Sequence, residues 1–225
     1  MTMAIAKRLA AEFIGTALLL AIGGGAGIAA QRLAGGDAAL ALLVSALVGA
    51  TGLAVLILTF GNISGGLFNP VLTLAEAWRV NLRLDHVAPY IVVQAAGALA
   101  GVAAVHVMYG LDLAMAAQPA RGGTGQWLGE FVATFGMLCV FIGCGRARPV
   151  VAPFAVSAYV MAACWFSSSS AFMNPALTLA RAIGEAGALR LADVPAFVLA
   201  QLAGGGVATA IFIWRHGPAR GAVRT

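Results

Sequence analysis

One phrase occurs twice in this chain. Ser64-Gly65-Gly66-Leu67-Phe68-Asn69-Pro70-Val71-Leu72-Thr73-Leu74-Ala75 returns as Ser169-Ser170-Ala171-Phe172-Met173-Asn174-Pro175-Ala176-Leu177-Thr178-Leu179-Ala180, the two asparagines standing 105 residues apart in a chain of 225. Self-similarity at about half the chain length means a duplicated structural unit, and any fold must hold both copies. The phrase also starts a helix. Asn caps a helix N-terminus, and Pro suits the first turn, where its missing N–H would have no partner. A helix is therefore opened in the same way twice, both times in very apolar surroundings.

Those surroundings predict an all-α membrane protein. Hydrophobic residues make up 61% and charged residues 9%, against about 25% charged in soluble domains. Asp, Glu, Lys and Arg are absent from 13–31, 38–75, 86–111, 131–145, 149–180 and 194–214, and a bilayer crossing needs roughly 20 apolar residues. Six spans are predicted, at about 9–30, 38–60, 86–109, 126–146, 150–167 and 193–214. The repeated phrases fall between spans two and three and between spans five and six.

Six crossings put both termini on one side. That side carries Lys7, Arg8, Arg79, Arg83, Arg146, Arg148, Arg215, Arg220 and Arg224, and the other Arg32, Arg121, Arg181 and Arg190. The excess of basic residues predicts a multi-pass protein of the cell membrane with cytoplasmic termini. It also accounts for the net charge of +5 without a nucleic-acid partner. Cys139, Cys144 and Cys164 show no metal spacing and read as small packing residues. His86 and His106 have no matching ligand set. No cofactor or metal is implied.

The repeat reaches beyond the phrase. Ala11-Glu12-Phe13-Ile14-Gly15-Thr16 resembles Gly129-Glu130-Phe131-Val132-Ala133-Thr134, and Pro89, Gln94 and Gly97 recur as Pro195, Gln201 and Gly204. Residues 1–110 and 111–225 read as two repeats of one transmembrane domain, 1–225. Each holds three spans, so the second crosses in the opposite sense, and an inverted repeat places its solute site near the midplane. About ten helical residues follow each Asn-Pro, to Arg79 in one copy and to Arg181 and Glu185 in the other. That is roughly 15 Å, half of a bilayer core. Two re-entrant half-helices are predicted to meet tip to tip at mid-depth. Gly61–Phe68 and Ser167–Met173 are expected to precede them as extended strands with carbonyls facing a lumen, the one setting where irregular backbone is tolerated at that depth. Two positive helix ends, with the Asn69 and Asn174 amides as donors, would welcome a neutral oxygen-bearing solute and repel cations.

These residues resemble the aquaporin and aquaglyceroporin channels, the major intrinsic proteins, over nearly the whole chain. Ser64-Gly65-Gly66, Asn69-Pro70-Val71, Asn174-Pro175-Ala176, Glu12 and Glu130 carry the resemblance. It implies a homotetramer with one pore in each subunit, a pore centre at Asn69, Pro70, Val71, Asn174, Pro175 and Ala176, and structural carboxylates at Glu12 and Glu130 that hold the loops. Gln94 and Gln201 read as similar loop-anchoring or helix-packing groups. The family's outer constriction usually carries an arginine where this chain has Leu177. Its other filter positions fall by ungapped counting at Gly49, with Thr51 as a rival, Ala162 and Ala171. Gly, Ala, Ala and Leu predict a wide filter without arginine. Arg181, seven residues after Asn174, reads as a helix-end charge at the membrane interface.

The function expected is a passive channel for small uncharged solutes: water, glycerol-like polyols, and urea or arsenous acid. Some bacterial family members with an aliphatic residue at the arginine position resemble this pattern, and the resemblance links them to arsenic handling. A coupled secondary transporter is the alternative, since inverted repeats occur there too. An enzyme is not expected, for lack of a Ser–His or metal constellation.

Overall fold

The computed structural model describes residues 3–111, 121–183 and 189–217, and no strand occurs among them. The helices are α1 (Met3–Leu33), α2 (Ala38–Ser64), α3 (Pro70–Trp78), α4 (Leu84–Tyr109), α5 (Thr124–Ala147), α6 (Ala152–Phe166), α7 (Pro175–Ile183) and α8 (Val194–His216), with a 3₁₀ turn at Leu191–Asp193. Five of them, α1, α2, α4, α5 and α8, are long and apolar enough to cross a membrane. The fifth predicted span is shorter: α6 has 15 residues, about 22 Å of helix. Glu185, Arg220 and Arg224 lie outside the described residues.

The two halves pack alike. α1 lies against α2 and α4, and α5 against α6 and α8, while α2–α6, α3–α8, α4–α7 and α3–α7 join the halves. Matched glycines let the helices of each half approach closely. A Cβ on Gly97 of α4 would collide with the Phe13 carbonyl of α1, and one on Gly204 of α8 with the Phe131 carbonyl of α5. Backbone cannot move aside as a side chain can, so even a methyl group forces the helices apart. Gly204→Ala is expected to cost about 3 kcal/mol and to lower the melting temperature in detergent by roughly 6–12 °C. Gly206→Ala is the control, because nothing lies within 4 Å of its Cβ position. Equal melting temperatures for the two variants would contradict this packing.

The segments before the half-helices differ from the expected extended strands. α2 continues through Ser64 and closes with Gly65 N–H on the Gly61 carbonyl at 3.0 Å, so the first loop comprises only Gly65–Asn69. Gly65 (φ 102°), Gly66 (60°) and Phe68 (49°) are left-handed, as are Ser170 (64°), Ala171 (50°) and Met173 (52°) in the second loop. A side chain in that region costs of order 1–2 kcal/mol, so something must hold Phe68 and Met173 there.

Candidate functional site

What holds them is a buried carboxylate on one side and an asparagine on the other. Glu12 and Glu130 are both 0% exposed. Glu12 accepts hydrogen bonds from the N–H groups of Leu67 (3.0 Å) and Phe68 (2.7 Å), from the Ser64 hydroxyl (2.6 Å) and from Gln94 Nε2 (2.8 Å). Glu130 accepts from the N–H groups of Phe172 (2.8 Å) and Met173 (2.9 Å) and from Gln201 Nε2 (2.7 Å). Each glutamine donates on to a half-helix threonine, Gln94 to Thr73 at 2.9 Å and Gln201 to Thr178 at 2.8 Å. Each carboxylate thus grips one loop and, through one amide, the half-helix behind it.

The asparagines cap and cross. Asn69 Oδ1 accepts from Val71 N–H at 2.9 Å, and Asn174 Oδ1 from Ala176 N–H at 3.0 Å. Their Nδ2 groups reach the opposite half: Asn69 donates to the Met173 carbonyl at 2.8 Å and Asn174 to the Phe68 carbonyl at 2.9 Å. Left-handed φ at Phe68 and Met173 aims these carbonyls across the junction. The tips of α3 and α7 therefore abut, with Pro70 and Pro175 in their first turns. Each Nδ2 uses one N–H on the crossing bond and keeps its second for other acceptors. Both asparagines line one cavity of about 190 Å³, room for several waters at about 30 Å³ each. Two N-terminal dipoles converge there, so oxygen lone pairs are attracted and cations repelled.

The cavity runs along the helix junctions. Its wall includes Gly49, Ala171 and Leu177 but neither Thr51 nor Ala162. On α2 the lining residues are Leu42, Ser45, Ala46, Gly49, Ala50, Leu53 and Ile57, one face at helical spacing, and Thr51, about 200° round the helix from Gly49 and Leu53, lies off it. On α6 the same spacing runs Val156, Val160, Cys164, which turns Ala162 outward. Counting back from Asn174 without gaps fixed a position in the chain but not a face of α6. Cys164, read from sequence as packing, lines the cavity, and so do Leu19 and Gly23 of α1. The Val156–Val160–Cys164 spacing was the available signal for the first; nothing in the uniformly apolar α1 marked the other two. Ile57, Phe141 and Val156 also wall a depression that includes Pro149 and Asn62, toward the face that holds the termini.

Arg181 differs most from its expected place. It lines the cavity with Leu177, and its guanidinium carbon lies 5.3 Å from the Phe172 ring centroid. The cavity wall is therefore not free of arginine, although position 177 is. Arg121 approaches the same ring at 5.8 Å and donates to the Ser170 hydroxyl at 3.0 Å. No cluster of His, Cys, Asp and Glu able to hold a metal ion occurs among the described residues.

Comparison with known proteins agrees with this architecture. The family model described as "Major intrinsic protein" matches residues 1–148. The chain is 38% identical over 221 residues to "Aquaglyceroporin AqpS" of Rhizobium meliloti (strain 1021), across 98% of this chain and 94% of the relative. It is 32% identical over 191 residues to "Aquaporin A" of Dictyostelium discoideum, across 79% of this chain and 68% of that protein. The solved structure of the aquaglyceroporin from Plasmodium falciparum superposes with a TM-score of 0.72 at 21% identity, over 92% of this chain and 95% of that one.

Proposed function

We propose, from the premise that this chain belongs to the major intrinsic protein family, that it conducts small uncharged solutes larger than water, chiefly glycerol-like polyols, urea or arsenous acid. Members of that family are passive channels and not enzymes. The observation that carries the choice of solute is the wall at the level of Leu177. Gly49, Ala171 and Leu177 bring small or apolar side chains to the cavity wall and no donor of their own, so bulk is tolerated beside them. The pore centre is formed by the tips Asn69-Pro70-Val71 and Asn174-Pro175-Ala176: Asn69 and Asn174 line the cavity and turn two spare amide N–H groups to the solute, while Val71 and Ala176 pack behind them. Glu12, Glu130, Gln94 and Gln201 support the loops and take no part in transport chemistry. Repeats 1–110 and 111–225 form one domain, four copies assemble as a homotetramer with one pore each, and the protein sits in the cell membrane with cytoplasmic termini.

Stopped-flow permeability in proteoliposomes tests this, with water, glycerol, urea and arsenous acid as the panel. Flux linear in the gradient and faster for glycerol than in protein-free vesicles is expected. Saturation, or dependence on an ion gradient, would indicate a coupled transporter instead.

A thiol reagent gives a second test. Cys164 is the cysteine that lines the cavity, while Cys139 packs against the core around Ala133 and Met137. A small methanethiosulfonate should cut glycerol flux at least fivefold (about 1 kcal/mol of barrier) in the wild type and leave Cys164→Ser unaffected. Full sensitivity in Cys164→Ser would remove residue 164 from the conduction path.

A further inference from the structure

We infer that Arg181 supplies the cationic element of the pore mouth on the face opposite the termini, its head group reaching back to the level that Leu177 leaves uncharged. The inference rests on the channel reading above and adds to it a residue that sets ion exclusion and solute size. Arg181 is four residues beyond Leu177, one turn on along the same face of α7, and both line the cavity. Side chains on a helix lean toward its N-terminus. From position 181 that lean carries the guanidinium toward residue 177 and the pore centre.

Phe172 shows how far it reaches. The ring belongs to the loop before Asn174, yet the Arg181 guanidinium carbon lies 5.3 Å from its centroid. Leu177 packs against the same Phe172 cluster. Guanidinium and leucine therefore both approach the Phe172 cluster, although the arginine Cα lies one turn further along α7. Phe172 itself is well fixed. It is buried, its N–H is held by Glu130, and Phe197 lies 5.7 Å from it, centroid to centroid.

The charge is also available. Among the described residues the Arg181 guanidinium makes no hydrogen bond and no ion pair, so its five N–H donors have only a ring face for a protein partner. The nearby carboxylate of Asp193 is engaged by Arg190 at 2.9 Å and by the Arg121 backbone N–H at 3.0 Å. A second cation, Arg121, flanks the same ring. Two positive groups at one mouth, with no carboxylate bound to Arg181 among the described residues, suit uncharged solutes whose hydroxyl oxygens accept hydrogen bonds. They oppose any monovalent cation before it reaches the helix ends.

The experiment compares wild type, Arg181→Met and Arg181→Lys in proteoliposomes at equal protein density. The readouts are glycerol and water permeability, and sodium and potassium leak under an imposed voltage. Arg181→Met is expected to raise cation leak at least tenfold and to raise the glycerol-to-water ratio, and Arg181→Lys to hold the leak near wild type. A merely structural arginine would lower all fluxes together and leave the ion leak unmoved. A folded Arg181→Met protein with wild-type leak and ratio overturns the proposal. Should that variant fail to fold, Phe172→Leu frees the head group from its ring, and a glycerol-to-water ratio within twofold of wild type then overturns it. Wild-type vesicles no faster than empty ones for any solute would instead defeat the channel reading, and this inference with it.

Discussion

Glu12→Ala is expected to yield no folded protein in detergent, and Glu12→Gln to yield folded protein of reduced stability. Alanine strips the partner from four buried donors: the Ser64 hydroxyl, the Leu67 and Phe68 N–H groups, and Gln94 Nε2. Each buried donor left unsatisfied costs roughly 1–3 kcal/mol, so the total of roughly 4–12 kcal/mol rivals the ~5–15 kcal/mol by which proteins are stable at all. The left-handed Phe68 also loses its grip at the N–H side. Glutamine keeps one oxygen where the loop needs it and loses the charge and the second acceptor. The measurement is the yield of monodisperse protein with its melting temperature. Wild-type values for Glu12→Ala would show that the carboxylate does not hold the loop. A folded Glu12→Gln protein without flux at any pH would assign the carboxylate to transport instead.

Leu177→Arg is expected to lower the glycerol-to-water permeability ratio about tenfold, equivalent to ~1.4 kcal/mol of differential barrier. Leu177 lines the cavity, whose wall also includes the small residues Gly49 and Ala171, so a longer side chain takes cross-section that glycerol needs and water does not. The guanidinium adds donors that water satisfies in many orientations and a triol in few. It would also stand one turn from Arg181, adding a like charge near the Phe172 ring. Cation leak should fall or stay at its floor. The assay is the same stopped-flow pair on wild type and variant at equal protein density. An unchanged or raised ratio would show that residue 177 does not wall the narrowest level, and the wide-filter argument would fail with it.

The sequence made the helices legible but not their faces. Charge-free stretches located the crossings to within a few residues, and the doubled Asn-Pro located α3 and α7, because proline and a side-chain cap act locally. The loops were less legible. Gly61–Phe68 read as irregular for its Gly content, yet residues 61–64 keep their helical bonds because Gly65 offers the left-handed stop. Thr51 and Ala162 were chosen by counting, and counting cannot see rotation about a helix axis. In a membrane the outward face is apolar too, so the polar-versus-apolar stripe that orients a soluble helix is missing. Arg181 was misjudged for a related reason. Its chain position is near the membrane surface, but an arginine spans more than a helical turn, and only the Phe172 ring records where the charge ends up.

The crossed asparagine bonds bear on how such a chain comes to be folded at all. Phe68 is held left-handed in part by Asn174, and Met173 by Asn69. Neither loop is fully latched before the other arrives, and the partners are about a hundred residues apart in order of synthesis. The first three crossings can hold their re-entrant loop through Glu12 but lack its bond to Asn174 until the second loop is inserted after α6, a long-range step of the kind that slows folding. The same mutual latch binds the halves into a single cooperative unit, so damage at either tip is felt at both.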